Sequence, residues 1–185
     1  YSSQLFEIIQ MSKHFKVSRE TASNYVEYLR KGFLIETSYT YSPAIIKGVR
    51  TNKKIYVRDT GILHSMMRYT EKDIANPAIS GRSVETLFFA LLKAHYPDVW
   101  FWRDAAKHEV DLVLRTAKSI VPVEIKYRNS ISSKDISGLL YFMDKFRLKT
   151  GWVITFNTFR TVKYERKTVH LIPAYFAATV IDRIA

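Results

Sequence analysis

The chain of 185 residues contains no cysteine. Disulfides and thiolate metal ligands are therefore excluded, so any metal must be held by oxygen or imidazole, and the composition agrees with a reducing compartment. No apolar run approaches the roughly 20 residues of a membrane helix. The first residues also lack the basic and apolar segments of a signal peptide. We therefore expect a cytoplasmic protein with no membrane partner.

Acidic residues are few: 17 Asp and Glu stand against 29 Lys and Arg, which gives a formal net charge of +12. Such an excess favours a polyanionic partner, held through phosphate contacts and counterion release, and nucleic acid, with DNA first, is the leading expectation. Basic proteins that bind no nucleic acid are also common. The chain starts at Tyr1 rather than methionine, which predicts either a processed terminus or a fragment of a longer protein, and we favour the fragment. Self-association into a homo-oligomer is left open.

Glycine and proline are also scarce, at 6 and 5 residues. Two of them, Pro77 and Gly81, interrupt the hydrophobic pattern between residues 76 and 81 and predict a domain boundary there. We expect a first domain at residues 1–78 and a second at 79–185.

The first domain has the pattern of a winged helix-turn-helix. Leu5, Phe6, Ile8 and Ile9 predict one helix, and a second should run from an N-cap at Ser18 to about Lys31. Two strands, near residues 33–39 and 54–57, then flank a basic loop. In such a module the second helix can enter the major groove while the wing contacts phosphates, although winged helices also serve as protein-interaction modules. The candidate DNA contacts are Arg19, Ser23, Asn24, Lys47, Arg50 and Lys53.

A further helix is expected from about residue 60 to 69, beginning at the N-cap Asp59. His64 lies in it, but no second ligand stands at a suitable spacing, so His64 is assigned no chemistry.

The second domain alternates helices and strands. A helix over about 82–96 carries an apolar stripe of Val84, Leu87, Phe88, Leu91 and Leu92, with Glu85 at its border. Strands are predicted at 100–102, 109–114, 121–126, 152–156 and 168–172, and helices at 134–146 and 174–183. This order predicts an α/β layer with a mixed sheet, so the whole chain is α+β.

Two of these strands carry charged residues in alternation with apolar ones. Glu124 and Lys126 share one face of their strand while Val121, Val123 and Ile125 share the other. In the preceding strand, the same alternation puts Asp111 opposite Val110, Leu112 and Leu114. Asp111, Glu124 and Lys126 are therefore expected to converge. Hard carboxylate oxygens of this kind suit Mg²⁺ or Mn²⁺ and the hydrolysis of phosphodiesters.

Glu85 on a helix, Asp111 on a strand and Glu124-Ile125-Lys126 on the next strand resemble the PD-(D/E)XK nuclease signature. The resemblance implies a restriction-endonuclease-like mixed sheet flanked by helices, with Glu85, Asp111, Glu124 and Lys126 as catalytic residues. Asp111, Glu124 and Glu85 would hold Mg²⁺ or Mn²⁺, and Lys126 would position or deprotonate the attacking water. The carbonyl of Ile125 is an additional candidate ligand, and Glu109 is a substitute one.

A wider resemblance covers nearly the whole chain. Residues 56–63, Trp102-Arg103-Asp104, Glu109-Val110-Asp111 and residues 123–126 are similar to the C-terminal region of archaeal and bacterial AAA+ type ATPases. That family implies an upstream P-loop ATPase domain, absent from this chain, followed by a winged helix and a nuclease-like domain. No Gly-x-x-x-x-Gly-Lys-Ser/Thr motif occurs here, so this chain itself is not expected to hydrolyse ATP.

Three functions remain open from the sequence. The chain is a divalent-metal-dependent DNA endonuclease, or a DNA- or protein-docking module that regulates the ATPase without cutting, or a winged-helix transcription factor with an appended ligand domain. The four charged residues also have a purely structural interpretation, in which Lys126 neutralises Glu124 and Asp111 as an ion-pair cluster. The signature makes the transcription factor the weakest of the three functions.

Overall fold

The computed structural model describes residues 2–43, 53–116 and 119–179. Two of the candidate DNA contacts, Lys47 and Arg50, lie outside the described residues, as does the predicted end of the last helix.

The N-terminal half combines helices with a small antiparallel sheet. Its elements are β1 (Gln4–Phe6), α1 (Ile8–Phe15), α2 (Arg19–Lys31), β2 (Ile35–Tyr39), β3 (Lys53–Val57) and α3 (Thr60–Met67). The sheet order is β1-β3-β2. Leu5 and Phe6, which were expected in a helix, lie instead in β1, where Leu5 pairs with Lys54 of β3. That prediction was wrong because pairing with a distant strand overrides a local apolar pattern.

Helix α2 forms where its sequence predicts it. The Ser18 hydroxyl caps the helix by accepting a hydrogen bond from the Thr21 amide at 3.0 Å, which satisfies one of the free N–H groups of the first turn. Ala22 and Val26, one turn apart, are buried. The opposite side of the helix therefore faces solvent.

The C-terminal half is built on a mixed six-stranded sheet. It contains α4 (Glu71–Ile74), α5 (Pro77–His95), β4 (Val99–Arg103), β5 (Glu109–Arg115), β6 (Ile120–Lys126), α6 (Ser137–Lys145), β7 (Thr150–Thr155), β8 (Arg160–Tyr164), β9 (Lys167–Pro173) and α7 (Ala174–Thr179). A short 3₁₀ turn, Ser133–Ile136, leads into α6. The sheet order is β4-β5-β6-β7-β9-β8, and only the β6–β7 and β7–β9 pairs are parallel. The predicted α/β architecture with a mixed sheet is confirmed.

Hydrophobic side chains cover both faces of this sheet. On one face, Phe88, Phe89 and Leu92 of α5 pack against residues of β5 and β6. On the other, Leu139, Phe142 and Met143 of α6 form a second buried cluster. The central strands are therefore apolar nearly throughout, as expected for a sheet buried on both sides.

Helix α5 buries most of the predicted stripe, since Phe88 and Leu92 are in the core and Val84 and Leu91 pack against it, but Leu87 departs from the prediction. Its buried residues include Glu85, Phe88, Phe89 and Leu92, whereas Leu87 is 39% exposed. Asn76 caps the helix and Pro77 occupies its first position, so the helix begins five residues before the predicted start. Glu85 lies within the buried face rather than at its border, where it contacts Lys54 and Tyr56.

Strand β5 contains an irregularity that the sequence did not predict. Trp100 of β4 pairs with Val113 of β5, and Trp102 pairs with Val110. Three residue steps along β5 therefore lie opposite two steps along β4. Alternation is interrupted there, and Val110 packs in the cluster under α6 while Leu112 and Leu114 pack under α5. The expectation that these three share a face was wrong, because an extra residue in a strand breaks its period of two.

The two halves are joined by several direct contacts. The Ser38 hydroxyl donates to the Val99 carbonyl at 2.9 Å, and the Tyr41 amide donates to the Phe101 carbonyl at 2.7 Å. Tyr56 of β3 stacks on Phe89 of α5 with ring centroids 3.9 Å apart. Strand β3 is thus part of the main core. Among the described helices, none is long and apolar enough to cross a membrane.

Candidate acidic site between the two halves

A lysine from the N-terminal half lies among the carboxylates of the C-terminal half. The Nζ atom of Lys54 on β3 is 2.7 Å from Glu109 Oε1, 3.1 Å from Glu85 Oε1 and 3.9 Å from Asp111 Oδ1. The Lys54 side chain is only 3% exposed. Its ammonium therefore depends on these three carboxylates for its stability in the interior.

Sequence reasoning did not find Lys54 as a site residue. The signal was present in β3, where Lys54 and Tyr56 alternate with Lys53, Ile55 and Val57, and only the first two are buried. A lysine on the inward face of a strand requires a buried partner. The partners lie 31 to 57 residues further along the chain, so local pattern alone could not identify them.

Tyr56 fixes the orientation of Glu85. Its hydroxyl donates to Glu85 Oε1 at 2.9 Å, the same oxygen that accepts from Lys54. Burial, together with the negative charges of Glu85 and Asp111, raises the pKa of Tyr56 well above its ordinary value, so the phenol keeps its proton. Glu85 is thereby held between two donors from β3.

Asp111 lies at the centre of the site, within the irregular part of β5. Its Oδ2 accepts a hydrogen bond from the Ile125 amide of β6 at 2.8 Å, while Oδ1 is the oxygen nearer to Lys54. A strand irregularity of this kind redirects a side chain and occurs often beside functional sites. Here the irregularity lies at the residue whose carboxylate bonds to the neighbouring strand through Oδ2 and faces Lys54 with Oδ1.

Glu124 and Lys126 form a separate pair on β6. Lys126 Nζ donates to Glu124 Oε1 at 2.5 Å, which agrees with the predicted shared face. Glu124 is 6% exposed, and its Oε2 is buried with no hydrogen-bond partner among the described residues. Burial and the charge of Asp111 raise the pKa of Glu124 to about 8 in spite of Lys126.

The two lysines of the site both keep their protons. Burial disfavours each ammonium, but Glu85, Asp111 and Glu109 together raise the pKa of Lys54, and Glu124 and Asp111 raise the pKa of Lys126. Burial and the Asp111 charge, in turn, raise the pKa of Glu85 to about 7. A protonated Lys126 can position a water or offset phosphate charge, but in this state it cannot accept a proton.

The four predicted catalytic residues are thus divided between two contact groups. Glu85 and Asp111 surround Lys54 with Glu109, whereas Glu124 contacts Lys126. The negative charge of Asp111 connects the two groups, because it raises the pKa of both Glu85 and Glu124. A cavity of about 320 Å³ opens beside Lys54, Glu85, Glu109 and Asp111, and Arg82 and Arg103 also line it.

The carboxylate oxygens of the site have the chemistry that a hard divalent cation prefers, but they are not placed closely enough to bind one. Carboxylate oxygens are the ligands that Mg²⁺ and Mn²⁺ prefer, and the bare Glu124 Oε2 is a buried donor without a partner in the described chain. However, within residues 2–43, 53–116 and 119–179, no three Asp, Glu or His side chains converge closely enough to hold a metal ion. In the Lys54 cluster an ammonium lies where the carboxylates meet.

The described candidate DNA contacts lie in the N-terminal half. Arg19, Ser23 and Asn24 are exposed on α2, and Asn24 lies on the side opposite Ala22 and Val26. Lys53 is half-buried, with its Nζ 5.8 Å from the centre of the Tyr39 ring. His64 contacts the Ser83 hydroxyl at 2.7 Å.

Comparisons with known proteins find two families and two mycobacterial relatives. A family model described as a domain of unknown function (DUF8612) matches residues 1–73, and another described as a domain of unknown function (DUF4143) matches residues 80–176. The relatives are the uncharacterized proteins Mb2031c of Mycobacterium bovis and Rv2008c of Mycobacterium tuberculosis. Each is 29% identical over 132 residues, which cover 68% of this chain but 29% of the relative. Because the DUF4143 model spans more than half of the chain, the chain belongs to the DUF4143 family.

Proposed function

We propose that this chain is a nucleic-acid docking module of a larger protein, which holds duplex DNA without cutting it while Lys54 fills the acidic site. The observation that carries this proposal is the burial of the Lys54 ammonium among Glu85, Glu109 and Asp111. In this arrangement the three carboxylates neutralise a lysine of the same chain.

The arrangement of the N-terminal half supports DNA binding as a winged helix. Helix α1 leads through a short turn to α2, and the strands β2 and β3 follow as a hairpin. The exposed cations Lys13, Lys16 and Arg19 lie around the α1–α2 junction, and Ser23 and Asn24 continue along α2. In a winged helix the second helix reads the major groove, while basic side chains near its start contact phosphates.

The C-terminal half would then be a restriction-endonuclease-like domain used for docking. The resemblance to AAA+ type ATPases supports an ATPase domain elsewhere in the whole protein, with this chain as its DNA-binding or regulatory end. The curated relatives are much longer than the matched region, since that region covers 29% of their length. We propose that DNA binding to α2 regulates that ATPase domain.

Duplex binding tests the docking function. Fluorescence anisotropy with a labelled duplex should show binding that weakens steeply between about 50 and 200 mM salt. Arg19→Ala should weaken binding for all sequences and reduce the slope of log affinity against log salt by about 1. Lys163→Ala, which removes an exposed lysine from the edge strand β8, is the matched control and should leave affinity nearly unchanged. Binding that is absent or insensitive to salt would contradict the proposal.

A second candidate function is metal-dependent phosphodiester hydrolysis. The specific observation in its favour is that the charge of Asp111 raises the pKa of both Glu85 and Glu124, while Lys126 donates a hydrogen bond to Glu124. A bound Mg²⁺ or Mn²⁺ would supply charge neutralisation and an activated water. Asp111, Glu124 and Glu85 would hold the cation once Lys54 has moved away, and Lys126 would orient the water and offset the phosphate charge.

Plasmid nicking distinguishes the two functions. On the docking proposal, the chain with Mg²⁺ or Mn²⁺ retards supercoiled plasmid but leaves it intact, and Asp111→Ala and Lys126→Ala behave in the same way. Nicking by the wild-type chain that both substitutions abolish would instead establish the hydrolase. Nicking that survives both substitutions would come from a contaminant or from a different site.

A further inference from the structure

Aromatic and basic side chains gather where the three parallel strands β6, β7 and β9 end. We propose that this edge of the sheet binds single-stranded DNA, with unpaired bases stacked on the aromatic rings and phosphates paired with the cations. The inference goes beyond duplex docking on α2, because it concerns the other half of the chain and a nucleic acid without base pairs.

The strand register brings three segments of the chain to this edge. Lys126 at the end of β6 pairs with Thr155 of β7, and Thr155 pairs with Pro173 of β9, so the residues that follow leave the sheet side by side. Strand β6 leads towards α6 on one face, whereas β9 leads directly into α7, whose Ala177 packs in the cluster under α5 on the other face. In open α/β sheets, ligands bind at this carboxyl edge, where the connections diverge.

The first support is a group of five aromatic side chains on this edge. Tyr127 and Phe156, which follow β6 and β7, have ring centroids 5.2 Å apart. Phe159 and Phe176, from the loop after β7 and from α7, have ring centroids 5.4 Å apart. Tyr175 of α7 completes the group, since its hydroxyl donates to the loop after β7 at 3.4 Å. The three segments therefore present one continuous aromatic surface.

The aromatic rings of this surface are open to solvent. Phe159 and Tyr175 are each 67% exposed, and Phe156 and Phe176 are exposed as well. A single exposed apolar side chain is ordinary, but a contiguous group of them marks an interaction site. A flat aromatic face that is free on one side can stack on a base of any sequence.

The second support is that hydrogen bonds hold the loops beneath the rings. The Thr158 hydroxyl donates to the Asn129 carbonyl at 2.7 Å, which joins the loop after β7 to the loop after β6. The Phe156 amide also donates to the Arg128 carbonyl at 3.3 Å. The backbone that carries the rings is therefore preorganised, which lowers the entropic cost of binding.

The third support is the charge of the edge. Residues 126–134, 155–160 and 173–179 contain no acidic residue and four basic ones, which are Lys126, Arg128, Lys134 and Arg160. The flanking Glu124 and Asp135 pair with Lys126 and Arg128, so the exposed Lys134 and Arg160 supply the positive charge of the surface. Aromatic platforms combined with such cations are typical of surfaces that bind single strands. The charge therefore favours a polyanion over an apolar protein partner, and the choice of DNA over RNA rests on the duplex function proposed for α2.

Fluorescence anisotropy with a labelled oligothymidylate of about 20 nucleotides tests the proposal. Phe159→Ala and Tyr175→Ala should each weaken binding at least about fivefold, because each removes a stacking face. Phe159→Leu should weaken it as much, since it keeps an apolar side chain without a ring, and Phe159→Trp should retain it. Phe33→Ala removes a still more exposed ring from the N-terminal half and is the matched control, which should leave the affinity unchanged.

Two further measurements separate charge from stacking. Arg160→Ala should reduce the slope of log affinity against log salt by about 0.7, whereas Lys163→Ala, further along the same strand, should not. An oligonucleotide of the same length with abasic sites in place of the bases should bind the wild-type chain at least about fivefold more weakly, because it offers phosphates but nothing to stack. This second measurement needs no variant.

Arg19→Ala distinguishes this surface from the duplex surface, since it should weaken duplex binding and leave single-strand binding unchanged. Loss of duplex binding alone would contradict only the docking function. Absent binding of the oligothymidylate, equal affinity for the abasic strand, or unchanged affinity in both Phe159→Ala and Tyr175→Ala overturns the proposal. An equal loss in Arg19→Ala or Phe33→Ala, or tighter binding of the same sequence made with ribose, overturns it as well.

Discussion

At the scale of single residues, the acidic site holds more carboxylates than its lysines neutralise. Glu85, Glu109, Asp111 and Glu124 face Lys54 and Lys126, and Glu124 Oε2 has no hydrogen-bond partner in the described part of the chain. A buried carboxylate without enough positive charge nearby keeps its proton to a higher pH. Glu124, near Asp111 and with one bare oxygen, is the residue where this effect is largest.

The stability of the fold should therefore depend on pH through Glu124. Its pKa rises from an ordinary value of 4.5 to about 8 in the folded chain, so between these pH values the folded state holds a proton that the unfolded state releases. The free energy of unfolding should fall as pH rises from about 4.5 towards 8, by about 1.4 kcal/mol per unit for one excess proton. Urea unfolding at several pH values should show this fall.

Glu124→Gln serves as the matched variant because it keeps the shape of the side chain without a titrating group. The fall should be shallower in this variant, and a smaller dependence from Glu85 should remain. Equal pH dependence in the two proteins would mean that Glu124 is ionised in the folded chain across this range.

At the scale of elements, regular alternation could be predicted and departures from it could not. The pairing of Glu124 with Lys126 follows from the period of two in β6, and the Ser18 cap follows from the sequence of α2. Helical spacing predicts an apolar stripe of Ala22, Tyr25, Val26 and Leu29 on α2, of which Ala22 and Val26 are buried while Tyr25 and Leu29 are exposed. The irregularity in β5 is different. It depends on how β4 pairs with β5, so the strand sequence alone predicted the wrong face for Val110.

The helices show the same limit. The apolar pattern of α5 identified a helix, but the choice between Leu87 and Glu85 for the buried face depends on Tyr56 and Lys54, which approach from the other half. Helix α6 lies so close to β5 that a Cβ on Gly138 would be 2.3 Å from the Glu109 carbonyl oxygen. Glycine is therefore needed there, and this close approach fixes the backbone at Glu109. No local pattern predicts such a contact.

At the scale of the whole molecule, the two halves share one site and part of one core. Lys54 and Tyr56 come from the N-terminal sheet, whereas their partners come from α5 and β5. Sequence analysis divided the chain near residue 78 and placed the chemistry in the second half alone. The structure places the cation of the site in the first half, so changes in the N-terminal half can reach the carboxylates through β3.

A double-mutant cycle between the halves tests this account most directly. The free energy of unfolding by urea is measured for the wild-type chain, Lys54→Met, Glu85→Gln and the double variant. Because the Lys54 ammonium and the Glu85 carboxylate are 3.1 Å apart and buried, the two substitutions should be coupled by about 1–3 kcal/mol, with the double variant less destabilised than the sum of the single ones. Additivity within about 0.5 kcal/mol would contradict the claim that Lys54 neutralises the acidic site.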